Sequence, residues 1–259
     1  MTVASLAIAL HQVDKVYTNG TVALQGVDLT IPKGEFVSLV GPSGCGKSTV
    51  LRLIAGLGEP SQGTLEWGIA ARDRALAFVF QDAALMPWAT VIDNVHLPLK
   101  LKGKSLRESR SAIQAALNRV NLQGAEYRYP RQLSGGMKMR VSIARALVTH
   151  PNVLLMDEPF GALDEMTRSR LNSDLLHLWE HYHWTVVFVT HNIYEAVYLS
   201  NRVVVMAAHP GRVVAEVTID EPYPRRDEFR TSPAFNHYCR EVMAHLTGTG
   251  DEFLSAPVG

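Results

Sequence analysis

The stretch GPSGCGKST, residues 41–49, constrains this chain more than any other. It follows the short apolar run EFVSLV (35–40) and leads directly into STVLRLIAGL, a helix-forming segment, so a buried strand must feed a helix through a glycine-rich loop. Glycines let the backbone curl until its N–H groups converge, and the helix N-terminus adds partial positive charge, which together make a cradle for phosphate oxygens. On this reading Gly41, Pro42, Ser43, Gly44, Cys45, Gly46, Lys47, Ser48 and Thr49 line the cradle. Lys47 supplies a point charge for β- and γ-phosphates, and the Ser48 hydroxyl is a ligand for Mg²⁺. A glycine-rich turn that merely happens to precede a helix is the competing reading, and it leaves the strand before the loop as coincidence. Cys45 reads as a small space-filling residue rather than a nucleophile.

Around this loop the texture of the chain is that of an α/β protein. Residues 3–32 hold β-type segments, LAIALHQV and GVDLTIP, separated by the turn TNGT, which predicts antiparallel strands. Short apolar runs then recur at RALAFVF (74–80), NVLLMD (152–157), TVVFVT (185–190) and NRVVVM (201–206), with helical patterns between most of them, as in a largely parallel sheet with crossovers. Residues 83–151 contain no comparable run and read as an inserted helical subdomain, where Leu106, Ile113, Leu117 and Val120 fall on one helix face. Near the end, Ser232 and Pro233 open a helix whose Phe235, Tyr238, Val242, Met243 and Leu246 share a face, and the last dozen residues are expected to be loose. The expected division is a single domain: a core with an antiparallel β subdomain over 1–90 and 150–220, a helical subdomain over 91–149, and a C-terminal helix and tail over 221–259.

Polar residues at the ends of the apolar runs are the candidate chemistry. VLLMDEP places Asp157 at a strand's C-terminal end, where open α/β sheets hold ligands, and Asp157 can bind Mg²⁺ through water. Glu158 then either points the opposite way on the pleat or turns with the following loop, and can serve as general base toward an attacking water. Gln81 and His191 close two other runs at the same edge; Gln81 can sense Mg²⁺ or the water, and His191 can donate to a γ-phosphate. His177, His181 and His183 share the stretch HLWEHYHW, but no cysteine or carboxylate completes a ligand set beside them, and a solvated helix end explains them better.

Composition then excludes other classes. Lys+Arg and Asp+Glu both number 25, which leaves no basic excess to hold nucleic acid. Two cysteines, Cys45 and Cys239, make neither a disulfide framework nor a zinc site and fit a reducing compartment. No apolar run approaches the ~20 residues that span a bilayer, and the first residues lack a basic segment before an apolar one. At a membrane, such a chain would work as a peripheral subunit.

Taken in order, GPSGCGKST, LSGG, LLMDEP, ALD and VTH resemble the ATP-binding subunit of ABC transporters across essentially the whole chain. The resemblance implies a P-loop NTPase fold with a mostly parallel core sheet, an N-terminal antiparallel β subdomain and an inserted helical subdomain. It implies ATP and Mg²⁺ as cofactors, and a head-to-tail homodimer that sandwiches two ATP molecules. Ser134, Gly135 and Gly136 would then meet the γ-phosphate held by the partner's P-loop. Tyr17 matches the aromatic that stacks on adenine, with a core strand tyrosine as the alternative, and Asp164 matches the acid of a loop at the dimer interface. Glu158, His191 and Gln81 take the catalytic roles, and Ser48, Gln81 and Asp157 the metal. Two departures stand out: Met137 replaces the usual glutamine after LSGG, and Gly161 replaces a frequent serine.

Within the family, FQDAALMPWATVIDNV and HPGR (209–212) resemble the nitrate/sulfonate/taurine importer group. That implies integral-membrane permease subunits, an indirect solute-binding protein, and a peripheral place on the cytoplasmic face of the cell membrane. Met86, Pro87 and Trp88 lie where the family docks a permease helix, although for Trp88 itself local packing under its loop is the favoured reading of the sequence. Two rivals are a soluble ABC ATPase with a mechanical role, which would need coiled-coil insertions or tandem cassettes, and a P-loop kinase, which leaves LSGG unexplained. The transported solute is not written in the sequence.

Overall fold

The computed structural model describes residues 5–254. Its first strand, β1 (Leu6–Val16), turns at residues 17–21 and pairs antiparallel with β2 (Val22–Pro32), where Val27, Leu29 and Ile31 are buried in alternation with exposed Asp28 and Thr30. There follow β3 (Phe36–Val40), α1 (Lys47–Ile54), β4 (Gln62–Trp67), β5 (Leu76–Val79), α2 (Val91–Leu101), α3 (Leu106–Arg119) and α4 (Gly135–Leu147). The remainder is β6 (Val153–Asp157), α5 (Glu165–Tyr182), β7 (Thr185–Val189), α6 (Ile193–Leu199), β8 (Arg202–Ala207), β9 (Arg212–Thr218) and α7 (Pro233–Leu254). These elements divide into two units, one holding the described residues up to Asp73 and from His183 onward, the other Arg74–Tyr182.

In the first unit β2, β1 and β4 form an antiparallel sheet, and β7, β3, β8 and β9 lie side by side in that order. Strand β3 is parallel to both neighbours, with Val37 opposite Val187 on one side and Ser38 opposite Val203 on the other. All five residues of β3 and of β7 are buried, which is why their sequences are apolar except for the buried Ser38 and Thr185 and do not alternate. Burying Phe36, Val37, Leu39 and Val40 contributes about 1.5–3 kcal/mol each by transfer from water. Helix α7 begins as expected: Ser232 Oγ accepts from the Phe235 N–H at 3.0 Å, and Phe235, Cys239 and Val242 are buried. Met243 is not part of that face; it is 49% exposed, because it sits about 100° around the helix from Val242. The helix also runs on to Leu254, further than the loose ending expected from the sequence; the rest of that expected tail lies outside the described residues.

Arg225 closes this unit. It is 2% exposed, and its guanidinium donates to the carbonyls of Val197, Tyr198 and Ser200 at the end of α6 and to those of Ile219 and Glu221, all within 2.9–3.3 Å. Carbonyls at a helix C-terminus carry partial negative charge and so stabilise a buried cation, and the charge of Glu221 adds to this. Burial still lowers its pKa from the usual arginine value.

In the second unit β5 and β6 pair in parallel, with Val79 opposite Met156. Helices α2 and α3 start in capping boxes, Thr90 with Asp93 and Ser105 with Glu108. Ile113, Leu117 and Val120 are buried as expected, whereas Leu106 is 38% exposed: it is the first helical residue, and its side chain leans toward the open N-terminus. Arg140 of α4 and Asp174 of α5 form an ion pair at 2.5 Å.

Candidate active site

The loop after β3 has the curled backbone that its glycines foretold. Gly46 adopts φ 88° immediately before α1, a left-handed conformation, and a Cβ there would come within 2.5 Å of Leu24 Cδ2 and 2.8 Å of Ala23 O, so only glycine fits. Lys47 is the first residue of α1 and only 6% exposed. Its ammonium is turned back onto the loop, donating to Gly41 O at 2.7 Å and Pro42 O at 3.0 Å. Pro42, Ser43 and Gly44 are exposed at the loop's rim, and Ser48 and Thr49 follow on the first turn of the helix. Cys45 is fully buried, and burial raises its thiol pKa above the ordinary value, which agrees with a packing role.

Tyr17 lies just past the end of β1 and is half-buried rather than a core residue. Its hydroxyl is 3.2 Å from Thr49 Oγ1, so the residue expected to meet adenine is fastened to the helix that opens the phosphate loop. His191 stands two residues beyond β7, the strand parallel to β3, and is exposed at the same C-terminal edge. A small network holds the residues on either side of it. Thr190 Oγ1 donates to Glu195 Oε2 at 2.6 Å and accepts from the Asn192 N–H at 3.0 Å, while Asn192 Oδ1 caps α6 through the Tyr194 and Glu195 N–H groups.

The acidic residues belong to the second unit. Asp157 is the last residue of β6 and Glu158 follows with φ 44°, so the chain turns at Glu158 instead of continuing the pleat. Gln81 is exposed two residues past β5 and shares that sheet edge with Asp157, since Val79 pairs with Met156. Ser134 caps α4 by accepting from the Met137 N–H at 3.3 Å, and Ser134 and Gly135 face solvent at the helix's positive end. Gly136 is buried: a Cβ there would sit 2.6 Å from Thr167 Cγ2, so the second glycine serves close packing against the start of α5. Asp164 accepts from the Thr167 N–H at 2.9 Å, and that bond lowers its pKa from the ordinary carboxylate value.

Comparison with known proteins decides what this arrangement belongs to. Residues 24–161 match the ABC transporter family. The chain belongs to the ABC transporter family. It is 42% identical over 244 residues to the aliphatic sulfonates import ATP-binding protein SsuB of Bacillus cereus, an alignment covering 92% of this chain and 95% of that one. An uncharacterized ABC transporter ATP-binding protein of Methanocaldococcus jannaschii is 46% identical over 243 residues, covering 92% of this chain and 88% of the relative. Among solved structures, the dimeric post-hydrolysis state of the ATP-binding cassette MJ0796 bound to ADP and Pi superposes with a TM-score of 0.73 at 36% identity, covering 83% of this chain and all of that one. The α/β fold is that of a P-loop NTPase, and this ABC protein is an ATPase.

Two residues of this ABC ATPase escaped the sequence reading. Arg145, on α4, donates to the carbonyls of Ala83 and Ala84 at 2.7 Å each and so holds the loop that follows Gln81. Asn94 is fully buried in α2; its Oδ1 accepts from the Met86 N–H at 2.7 Å, and its Nδ2 donates to Met86, Ala89 and Thr90 carbonyls. The signal for Asn94 was available: it is a polar residue among the apolar positions of VIDNVHL.

Proposed function

We propose that this chain is the ATP-hydrolysing subunit of an importer for a small organic anion of the sulfonate class, acting as a homodimer on the cytoplasmic face of the cell membrane. The observation that carries it is the N-terminus of α4, where Ser134 and Gly135 stand exposed at the positive end of a thirteen-residue helix. A helix end of this kind favours an anion. In a second copy that anion is the γ-phosphate of an ATP whose other phosphates lie in the Gly41–Thr49 cradle. A kinase has no use for such a helix end.

The roles follow from chemistry and, for Tyr17 and Asp164, from the family's pattern. Lys47 neutralises the β- and γ-phosphates, Tyr17 stacks on the adenine, Glu158 takes the proton of the attacking water, and His191 donates to the γ-phosphate. Ser48, Gln81 and Asp157 offer a hydroxyl, an amide carbonyl and a carboxylate, the hard oxygen donors that Mg²⁺ takes, and the ion would neutralise phosphate charge. Asp164 belongs to the dimer interface. Closing the dimer excludes water from the phosphates, and loss of the shared anion lets the halves part.

A cavity of about 360 Å³ in the second unit suits the permease. Its walls include Phe78, Phe80, Leu97 and Leu101, with Phe80 45% and Leu101 80% exposed and Trp88 77% exposed in the loop before α2. Apolar side chains held open in this way fit an amphipathic helix from a membrane subunit. The experiment is affinity purification of the tagged chain from solubilised membranes, followed by sulfonate uptake in vesicles holding the recovered complex. Recovery with the permease and ATP-dependent sulfonate uptake are expected. Recovery with ribosomes or DNA instead would overturn the reading in favour of a mechanical ATPase.

A further inference from the structure

The motif HPGR (209–212) runs from the connection after β8 into the first residue of β9, and the phosphate loop leans on it. A Cβ on Gly211 would meet Cys45 O at 2.4 Å, Ala23 O at 2.5 Å and Cys45 C at 3.1 Å. All three are backbone atoms, and contacts that short have no side-chain rotation to relieve them. Gly211 is also hydrogen-bonded into the wall it touches: its N–H donates to Ala23 O at 3.2 Å, and its carbonyl accepts from the Gln25 N–H at 2.9 Å, a parallel bridge to Leu24. The same wall meets the loop at Gly46, whose absent Cβ leaves room for Leu24 Cδ2 and Ala23 O. At the loop's other end a Cβ on Gly41 would strike Met206 O at 2.5 Å and Cys45 Sγ at 2.6 Å. The cradle is therefore backed at three points, by β2, by the end of β8 and by Gly211, each approach passing through a position without a side chain.

We propose that Gly211 is a positioning residue for nucleotide binding: it lets the β8–β9 connection and β2 close against the Cys45 backbone and so fixes the curvature of the phosphate loop. This rests on the loop binding phosphates, and Gly211 touches no reacting atom. Any side chain there must push the Cys45 peptide toward the nucleotide or push β2, with Tyr17 beyond its turn, away from it. The loop's grip on the phosphates common to ATP and ADP weakens in either case. Chemistry on nucleotide already bound, which depends on groups at other strand ends, is left intact.

The test is steady-state ATPase activity and calorimetric titration of the full chain with MgATP and MgADP, comparing wild type with Gly211→Ala. Forcing an extra methyl against backbone is an overpacking change, and KM for ATP is expected to rise about tenfold or more, with parallel losses of ATP and ADP affinity. kcat at saturating ATP is expected to stay within about twofold, a split that general loss of folded protein does not produce. An unchanged KM in folded Gly211→Ala protein, or a fall in kcat with KM unmoved, would overturn the proposal. Should that variant not fold, Leu24→Ala leaves Gly211 in place and opens a gap beside Gly46; a raised KM supports the wall's role and an unchanged one overturns it. Lys47→Ala separates the two ideas: nucleotide affinity lost there but kept in Gly211→Ala would reject the wall and retain the phosphate loop.

Discussion

Lys47 is nearly buried, yet among the described residues its ammonium bonds only to neutral acceptors, the Gly41 and Pro42 carbonyls and, at 3.7 Å, the Cys45 sulfur. A cation held by carbonyls is satisfied but not neutralised, and a polyphosphate offers it the stronger, charge-assisted bond. Such bonds to charged groups are worth about 1.5–3 kcal/mol, so Lys47→Ala is expected to weaken MgATP binding about tenfold to a hundredfold. Calorimetry on the purified chain checks this, and affinity equal to wild type would remove Lys47 from the site. Other residue-scale features were less visible beforehand. The choice at Glu158 between continuing the strand and turning with the loop depended on one backbone angle, and φ 44° decides for the turn. Arg145 could not be found from spacing, because its partners are the carbonyls of Ala83 and Ala84, far away in sequence.

At the scale of elements, legibility followed burial. Strands β3, β6 and β7 were plain because they are buried along nearly their whole length and the sequence must stay apolar there. Strand β4, QGTLEW, escaped notice because it has no fully buried residue, and β9, RVVAEVT, has only one. Both are held by ladder hydrogen bonds to β1 and β8, which any residue but proline can supply. Helix starts were governed by capping. In the box that opens α3, the Glu108 carboxylate accepts from the Ser105 hydroxyl and N–H, and these bonds lower its pKa. A carboxylate with a depressed folded pKa stabilises above its unfolded pKa and loses that contribution as pH falls through the folded one. Glu108→Gln is therefore expected to lower Tm slightly near neutrality. The difference from wild type should shrink as pH falls below about 4, where the unfolded carboxylate protonates. Thermal melts of both proteins across that range check the sign, and a difference that grows in acid would contradict it.

For the whole molecule the question is what a second copy adds. On the proposed function the Gly41–Thr49 cradle would present one face to a nucleotide, and the exposed Ser134–Gly135 helix end is suited to cover the other. If ATP joins two copies in this way, the joint lasts as long as the γ-phosphate does, and the residue that removes the phosphate sets its lifetime. Glu158 is the candidate, so Glu158→Gln separates binding from breakage. The amide keeps the size of the carboxylate and leaves Asp157 and the loop glycines untouched, but it cannot accept the water's proton. General-base catalysis supplies about 10²–10⁴ in rate, and kcat is expected to fall by at least about a hundredfold while nucleotide affinity is kept. Size-exclusion chromatography with MgATP should then show the 28.6 kDa chain eluting at a dimer's mass, returning to monomer with MgADP. A monomer in ATP at high protein concentration would mean that the α4 helix end meets no nucleotide across a dimer, and Gly136 would need no explanation beyond packing against Thr167.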